Sequence, residues 1–260
     1  MKTAVVFWLG LLSVGLASAA ALVQTVSGDV RVERNGVMSG LQANQRVEAG
    51  STVHASNGAS AVLRFDDGQI AALSANTDFR IDGYRFDAAK PELDRIAMSL
   101  FRGSMRFITG LIGSRNRSAF ALKTTTTTLG IRGTDFAVGV QGGDYLTVAQ
   151  GGVSSTNLAG TANFTAGSSG FISSPSALAI AIPPSAIPPV ISSAFAQLGA
   201  LPMGGAPGSA GAAGSGGAAG AQAASSSAFG GLGVGTIAAG AAAVGVIAAS
   251  GGSTGTTGTK

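Results

Sequence analysis

Charge ends abruptly in this chain. No charged side chain occurs from residue 145 to residue 259, whereas all twelve acidic residues lie between Asp29 and Asp144. Apart from Lys2 and Lys260, every basic residue lies between Arg31 and Arg132. Charged side chains of both signs are what keep a globular surface solvated, so one mixed-charge domain is expected, followed by a segment of another kind. The composition agrees, with 41 glycines and only 6% aromatic residues among 260.

The pI near 10.0 points toward nucleic acid only at first sight. Residues 28–144 carry fourteen Lys and Arg against twelve Asp and Glu, with the signs interspersed. Phosphate-backbone binding needs several clustered cations, so no nucleic-acid role is expected. Residues 1–19 read as a secretory signal: Lys2, an apolar run, and Ala17-Ser18-Ala19 as a small-x-small cleavage site. The apolar run is shorter than the ~20 residues of a membrane span. Without cysteine the chain has neither a lipoprotein anchor nor disulfides.

Residues 20–172 read as short strands. Val30 and Val32 alternate with Arg31 and Glu33; Ala61, Leu63 and Phe65 alternate with Val62, Arg64 and Asp66; Phe136, Val138 and Val140 repeat the pattern. Asn35-Gly36, Asn57-Gly58 and Asp67-Gly68 punctuate them with hairpin-turn chemistry. The best short helix is residues 91–100. Glycine recurs beside apolar residues at Gly28, Gly103 and Gly151, with related phrases ending at Gly50 and Gly167, which favours a short β-solenoid-like or β-roll domain over a sandwich.

Three segments carry a resemblance: Gly28-Asp29-Val30-Arg31-Val32, residues 101–110, and Leu129-Gly130-Ile131-Arg132-Gly133-Thr134-Asp135-Phe136 after the threonines at 124–128. Over roughly residues 24–172 the chain resembles the FecR domain of bacterial envelope proteins. That resemblance implies a periplasmic all-β module, solenoid-like in its layers, that binds another protein. Some proteins with this domain relay an outer-membrane signal to a sigma factor through a cytoplasmic anti-sigma segment placed before a membrane helix. Such a segment is not expected here, which leaves the signalling role without the part that touches a sigma factor.

Within the domain, the threonine run is expected in a strand, its alternate hydroxyls bonding across to neighbours. Gly28, Gly103, Gly130 and Gly133 are expected to be structural. Arg132 and Asp135 are expected either to form a clamp across a bend at Gly133 or to leave Arg132 facing an anionic partner. Arg115, Arg117 and Lys123 form a cationic loop suited to lipid headgroups, cell-wall polymer or an acidic protein face.

Catalytic material is scarce. His54 is the only histidine, so no Cys/His metal cage or Cys-His nucleophile pair can form, and no Gly-x-Ser-x-Gly elbow accompanies it. Asp66, Asp67, Asp78 and Asp82 lack the spacing of a calcium loop. Gly110 to Gly113 lacks the Lys-Ser/Thr ending of a phosphate cradle. No enzyme, cofactor or metal is expected.

Beyond the domain, residues 173–198 read as an extended linker, because Pro183-Pro184 and Pro188-Pro189 suit neither helix nor central strand. Residues 199–227 are too poor in large apolar groups to order and read as disordered. Residues 228–250 are long enough to span a membrane as a helix, or else form a low-complexity, self-associating segment, and residues 251–260 are a polar tail. The leading expectation is a non-enzymatic protein of the periplasm or outer cell envelope, or one secreted, whose β-domain contacts another envelope protein or cell-wall polymer. The alternatives are a self-associating surface protein and an envelope sensor acting through a separate membrane partner.

Overall fold

A computed structural model describes residues 19–202. The expected signal up to residue 18, and the segments from residue 203 onward including 228–250 and 251–260, lie outside the described residues.

The chain opens with β1 (Ala19–Ser27), then the Asn35-Gly36 hairpin of β2 (Val30–Arg34) and β3 (Val37–Gly40). Both turn residues take positive φ, 52° and 77°, as a two-residue type I′ connection requires. Next come β4 (Arg46–Glu48), β5 (Thr52–Ala55), β6 (Ser60–Phe65), β7 (Ile70–Leu73) and β8 (Thr77–Arg85). Residues 91–100, expected as helix, hold only a 3-10 turn at Pro91–Leu93 before β9 (Arg95–Ile108). The strict burial alternation from Ile96 to Leu100 shows why: a period of two outweighs local helix propensity. Helix α1 (Leu111–Arg115), a 3-10 turn at Arg117–Ala119 and β10 (Phe120–Lys123) follow. The long strands β11 (Thr128–Val140) and β12 (Asp144–Asn157) then precede β13 (Gly160–Thr165), β14 (Ser169–Ile172), β15 (Ile180–Ile182) and helix α2 (Pro189–Ala200).

The all-β reading stands as one large mixed sheet that does not close. Its pairings are antiparallel except β9 with β10, so it is not a stack of parallel solenoid coils. Strands β9, β11 and β12 are shared between two layers. Their first-layer halves run beside β8, β10 and β13 and continue to β5, β2 and β3; their second-layer halves run beside β7 and β14 and continue to β6, β1 and β4, with β15 at the far side. The crossover in the β11–β12 hairpin lies at Gly133 and Gly151, both at positive φ, where the register gains one residue between Arg132 and Asp135. A Cβ on Gly151 would overlap the Gly133 carbonyl oxygen, so only glycine fits there.

Folding over brings the two apolar faces together. The Phe107 ring of the second layer lies 5.0 Å from Phe120 of the first, and Phe65 lies 5.5 Å from Tyr84. One continuous core runs from Val32 and Val53 through Ile96 and Met98 to Leu63 and Phe136.

Two expectations are corrected here. Of the threonines at 124–128, the first four form the turn into β11, and only Thr128 lies in the strand. Their hydroxyls bond inward, Thr124 and Thr126 to the buried Asp144 carboxylate and Thr127 to the Thr156 carbonyl. Residues 173–198 are not an extended linker. Pro189 is the first residue of α2, where its missing N–H is no loss, and Ile191 and Leu198 are buried on the outer face of the second layer. There Leu198 meets Val62, Ile70 and Ala72, so Val62, which the alternation assigns to a wet face, is fully covered.

Candidate interaction site

The cations divide into two sets. Six arginines hold carboxylates: Arg31 on Asp29, Arg34 on Glu48, Arg46 on Asp66, Arg80 on Asp82, Arg102 on Asp78 and Arg106 on Asp135. Arg64, Arg85, Lys90, Arg95, Arg115, Arg117, Lys123 and Arg132 are all exposed, and none is ion-paired among the described residues.

The register gathers three of this second set. Arg85 of β8 lies directly opposite Arg95 of β9. Phe120 pairs with Ile96 and Leu122 with Leu129; continued into the 3-10 turn before β10, one residue past the first pairing and three past the second, that register sets Arg95 in line with Ala119 and Arg132. The same row continues through Gly152 to Thr165. Arg85, Arg95 and Arg132 thus occupy one line across the outer face of the first layer. Arg117 sits in the 3-10 turn that leads into β10, and Arg115 closes α1 just before it. Lys123 stands apart at the other end of β10, beside the threonine turn. Like charges directly opposite on a sheet are destabilising, so the Arg85–Arg95 pair adds nothing to the stability of the sheet itself.

Arg132 and Asp135 do not form the expected clamp. Asp135 instead accepts a bidentate pair from Arg106, Nε to Oδ1 at 2.8 Å and Nη2 to Oδ2 at 2.6 Å. Those hydrogen bonds hold the Arg106 guanidinium charged, raising its pKa against partial burial. The bend at Gly133 is the reason: Arg132 leaves on the first layer, whereas Asp135 belongs to the second, where Ile108 is its direct neighbour and Arg106 its diagonal one. Gly28 and Gly103 take positive φ, and Gly103 packs against Thr77. Gly130 is tight instead for its neighbour Ser154, whose hydroxyl would lie 2.7 Å from an added Cβ.

The remaining polar candidates are occupied within the fold. His54 Nδ1 lies 2.8 Å from Asp78 Oδ1, while Arg102 donates to the other carboxylate oxygen at 2.6 Å. This is a cross-strand ladder over β5, β8 and β9. Asp82 accepts from the Ser99 hydroxyl at 2.6 Å. Asp67 accepts from the backbone N–H of Ile112 and of Gln69, anchoring the start of α1, although burial still pushes its pKa up. Among the described residues no group of three or more His, Asp or Glu is arranged to hold a metal ion.

Arg85 and Arg95 are the members of the site that sequence reading passed over. They are ten residues apart in an unremarkable charge pattern, and only the pairing of β8 with β9 joins them.

Residues 51–154 match the family model described as FecR protein, a span that contains every arginine of the row. Two crystal structures of a candidate anti-sigma factor from Parabacteroides distasonis ATCC 8503 are similar to the chain. One, at 2.50 Å resolution, gives a TM-score of 0.41, and the other, at 1.65 Å, gives 0.40. Each is 14% identical, and the match covers 50% of this chain and 58% of theirs. No curated protein matches the chain.

Proposed function

We propose that this chain, which carries a FecR domain over residues 51–154, is a non-enzymatic interaction module of the cell envelope that engages an anionic partner through the arginine row. The observation that carries this reading is Arg85 opposite Arg95 in line with Arg132, without a carboxylate among the described residues on any of the three. A cation left unneutralised beside another is retained at a cost to stability, and binding a negative surface offsets that cost. The planar guanidinium fork suits carboxylate or phosphate groups of a protein or cell-wall polymer. Export to the periplasm or outer envelope belongs to the same proposal and rests on the signal-like residues 1–19.

The test places a photo-crosslinking residue at position 95, 132 or, as an ion-paired control, 80, in the full chain expressed in cells. A discrete adduct at 95 and 132, weakened by salt and absent at 80, is the expected result. Equal labelling at all three positions, or none, would overturn the proposal. Replacing Arg85 and Arg95 by Gln should abolish the adduct at 132 while leaving the melting temperature unchanged or slightly raised.

A further inference from the structure

Among the described residues the sheet ends in four edge strands, and they are not guarded alike. Strand β4 carries Arg46 and Glu48, and β15 is three residues long and runs into Pro183. Strand β3 is a four-residue hairpin arm exposed at every position. Strand β13 has none of these features. It runs Gly-Thr-Ala-Asn-Phe-Thr for six residues, without charge or proline, and pairs with β12 in unbroken register from Gly160 to Thr165. Its inner face is fixed in the core by Phe164, 4% exposed, and its outer face presents Thr161, Asn163 and Thr165. Its second edge has no partner among the described strands. A regular, uncharged edge strand of this kind is a template for another strand, and proteins that avoid such pairing place lysine, proline or a bulge there.

We infer that β13 is a self-pairing edge, joining two copies of this chain through antiparallel β13–β13 contacts in a continuous sheet. Parity restricts the register. Opposed residues in an antiparallel pair share a face, and in the Asn163-centred register, one of two that satisfy this over five residues, Asn163 meets its own counterpart and Thr161 meets Thr165. Every outer-face pair is then amide with amide or hydroxyl with hydroxyl, both able to donate and accept, and no like charges oppose. A second copy fits this neutrality better than a charged peptide, which would find no counter-charge on the edge. The two-fold axis stands perpendicular to the sheet and leaves both arginine rows on one outer face. The inference does not depend on what those rows bind.

The chain contains no cysteine, so a single introduced thiol reports one position. Asn163→Cys in the full chain should be linked into a dimer by a short bismaleimide, whereas Ser118→Cys, on an exposed turn, should not. Asn163→Lys places two like charges face to face and should weaken the dimer about fivefold or more, read as the dissociation constant by analytical ultracentrifugation. Its melting temperature when monomeric should match the parent's, because Asn163 is exposed. A chain that stays monomeric at every concentration would overturn the inference. So would a dimer indifferent to Asn163→Lys that links no better through Asn163→Cys than through Ser118→Cys, since association would then run through another surface.

Discussion

The carboxylate of Asp144 accepts a hydrogen bond from the hydroxyl of Thr126, tying the start of β12 in the second layer to the turn that enters β11 in the first. Thr124 donates to the same oxygen. Along the hairpin these groups lie at opposite ends, since Thr128 pairs with Thr156 and Val140 with Asp144. The bend at Gly133 and Gly151 brings them together, so this contact records closure of one layer on the other.

Asp144 is 0% exposed, and its second oxygen has no partner, so burial pushes its pKa up despite the threonine hydroxyls. A carboxyl raised in the folded state contributes stability below its unfolded pKa and loses it as pH rises through the folded value. Asp144→Asn, which cannot ionise, should therefore gain stability relative to the parent as pH rises above the ordinary carboxyl range toward neutrality. Melting curves from that range to neutral pH check the sign; a difference that shrinks or reverses toward neutral pH would refute it.

The Arg106–Asp135 pair is 23% and 14% exposed, which limits water's ability to replace either partner. Asp135→Ala should cost about 1.5–3 kcal/mol, in the range of hydrogen bonds to charged groups. Arg132→Ala, on an exposed side chain, should stay within about 0.5 kcal/mol. Chemical denaturation of both variants distinguishes a structural Asp135 from a free Arg132, and equal losses would show that the two act together.

At the layer crossover the two glycines should respond differently. Gly133 has open space around its missing Cβ, so Gly133→Ala carries only the left-handed backbone penalty, about 1–2 kcal/mol. Gly133→Val should cost more. Gly151→Ala would drive a methyl into the Gly133 carbonyl and should prevent folding of the hairpin. Soluble yield and circular dichroism of the two alanine variants provide the comparison.

Leu198 of α2 is fully buried against Val62, Ile70 and Ala72. Leu198→Ala should destabilise the fold by about 2–5 kcal/mol, as deletion of a buried leucine does elsewhere. It should also increase binding of a hydrophobic dye to the uncovered outer face. A melting temperature equal to the parent's would mean that α2 is dispensable for covering that face.

Short-range chemistry was legible in the residues themselves. Asn35-Gly36 announces its hairpin, and the alternation through Val30 and Val32 announces β2, because side-chain direction in a strand follows from local periodicity. The recurring glycines at 28, 50, 103, 151 and 167 do occupy positive-φ positions. What they build, bends in antiparallel strands rather than solenoid turns, depends on which strand lies alongside, and the same backbone angles serve either arrangement. Pro189 misled for a similar reason: a proline pair excludes a helix interior but not a helix start.

By itself, then, the sequence determined that a mixed-charge β-domain is present and that its catalytic repertoire is narrow, since strand periodicity, turn residues and the scarcity of His and Cys are properties of single residues and near neighbours. Tertiary structure alone decided that Asp135 takes Arg106 instead of Arg132, that Val62 lies under a helix from residues 189–200, and that Arg85, Arg95 and Arg132 stand in one row. Each of those relations joins segments distant in the chain, and strand register, unlike strand identity, is settled only when the two layers pack and one face must exclude water.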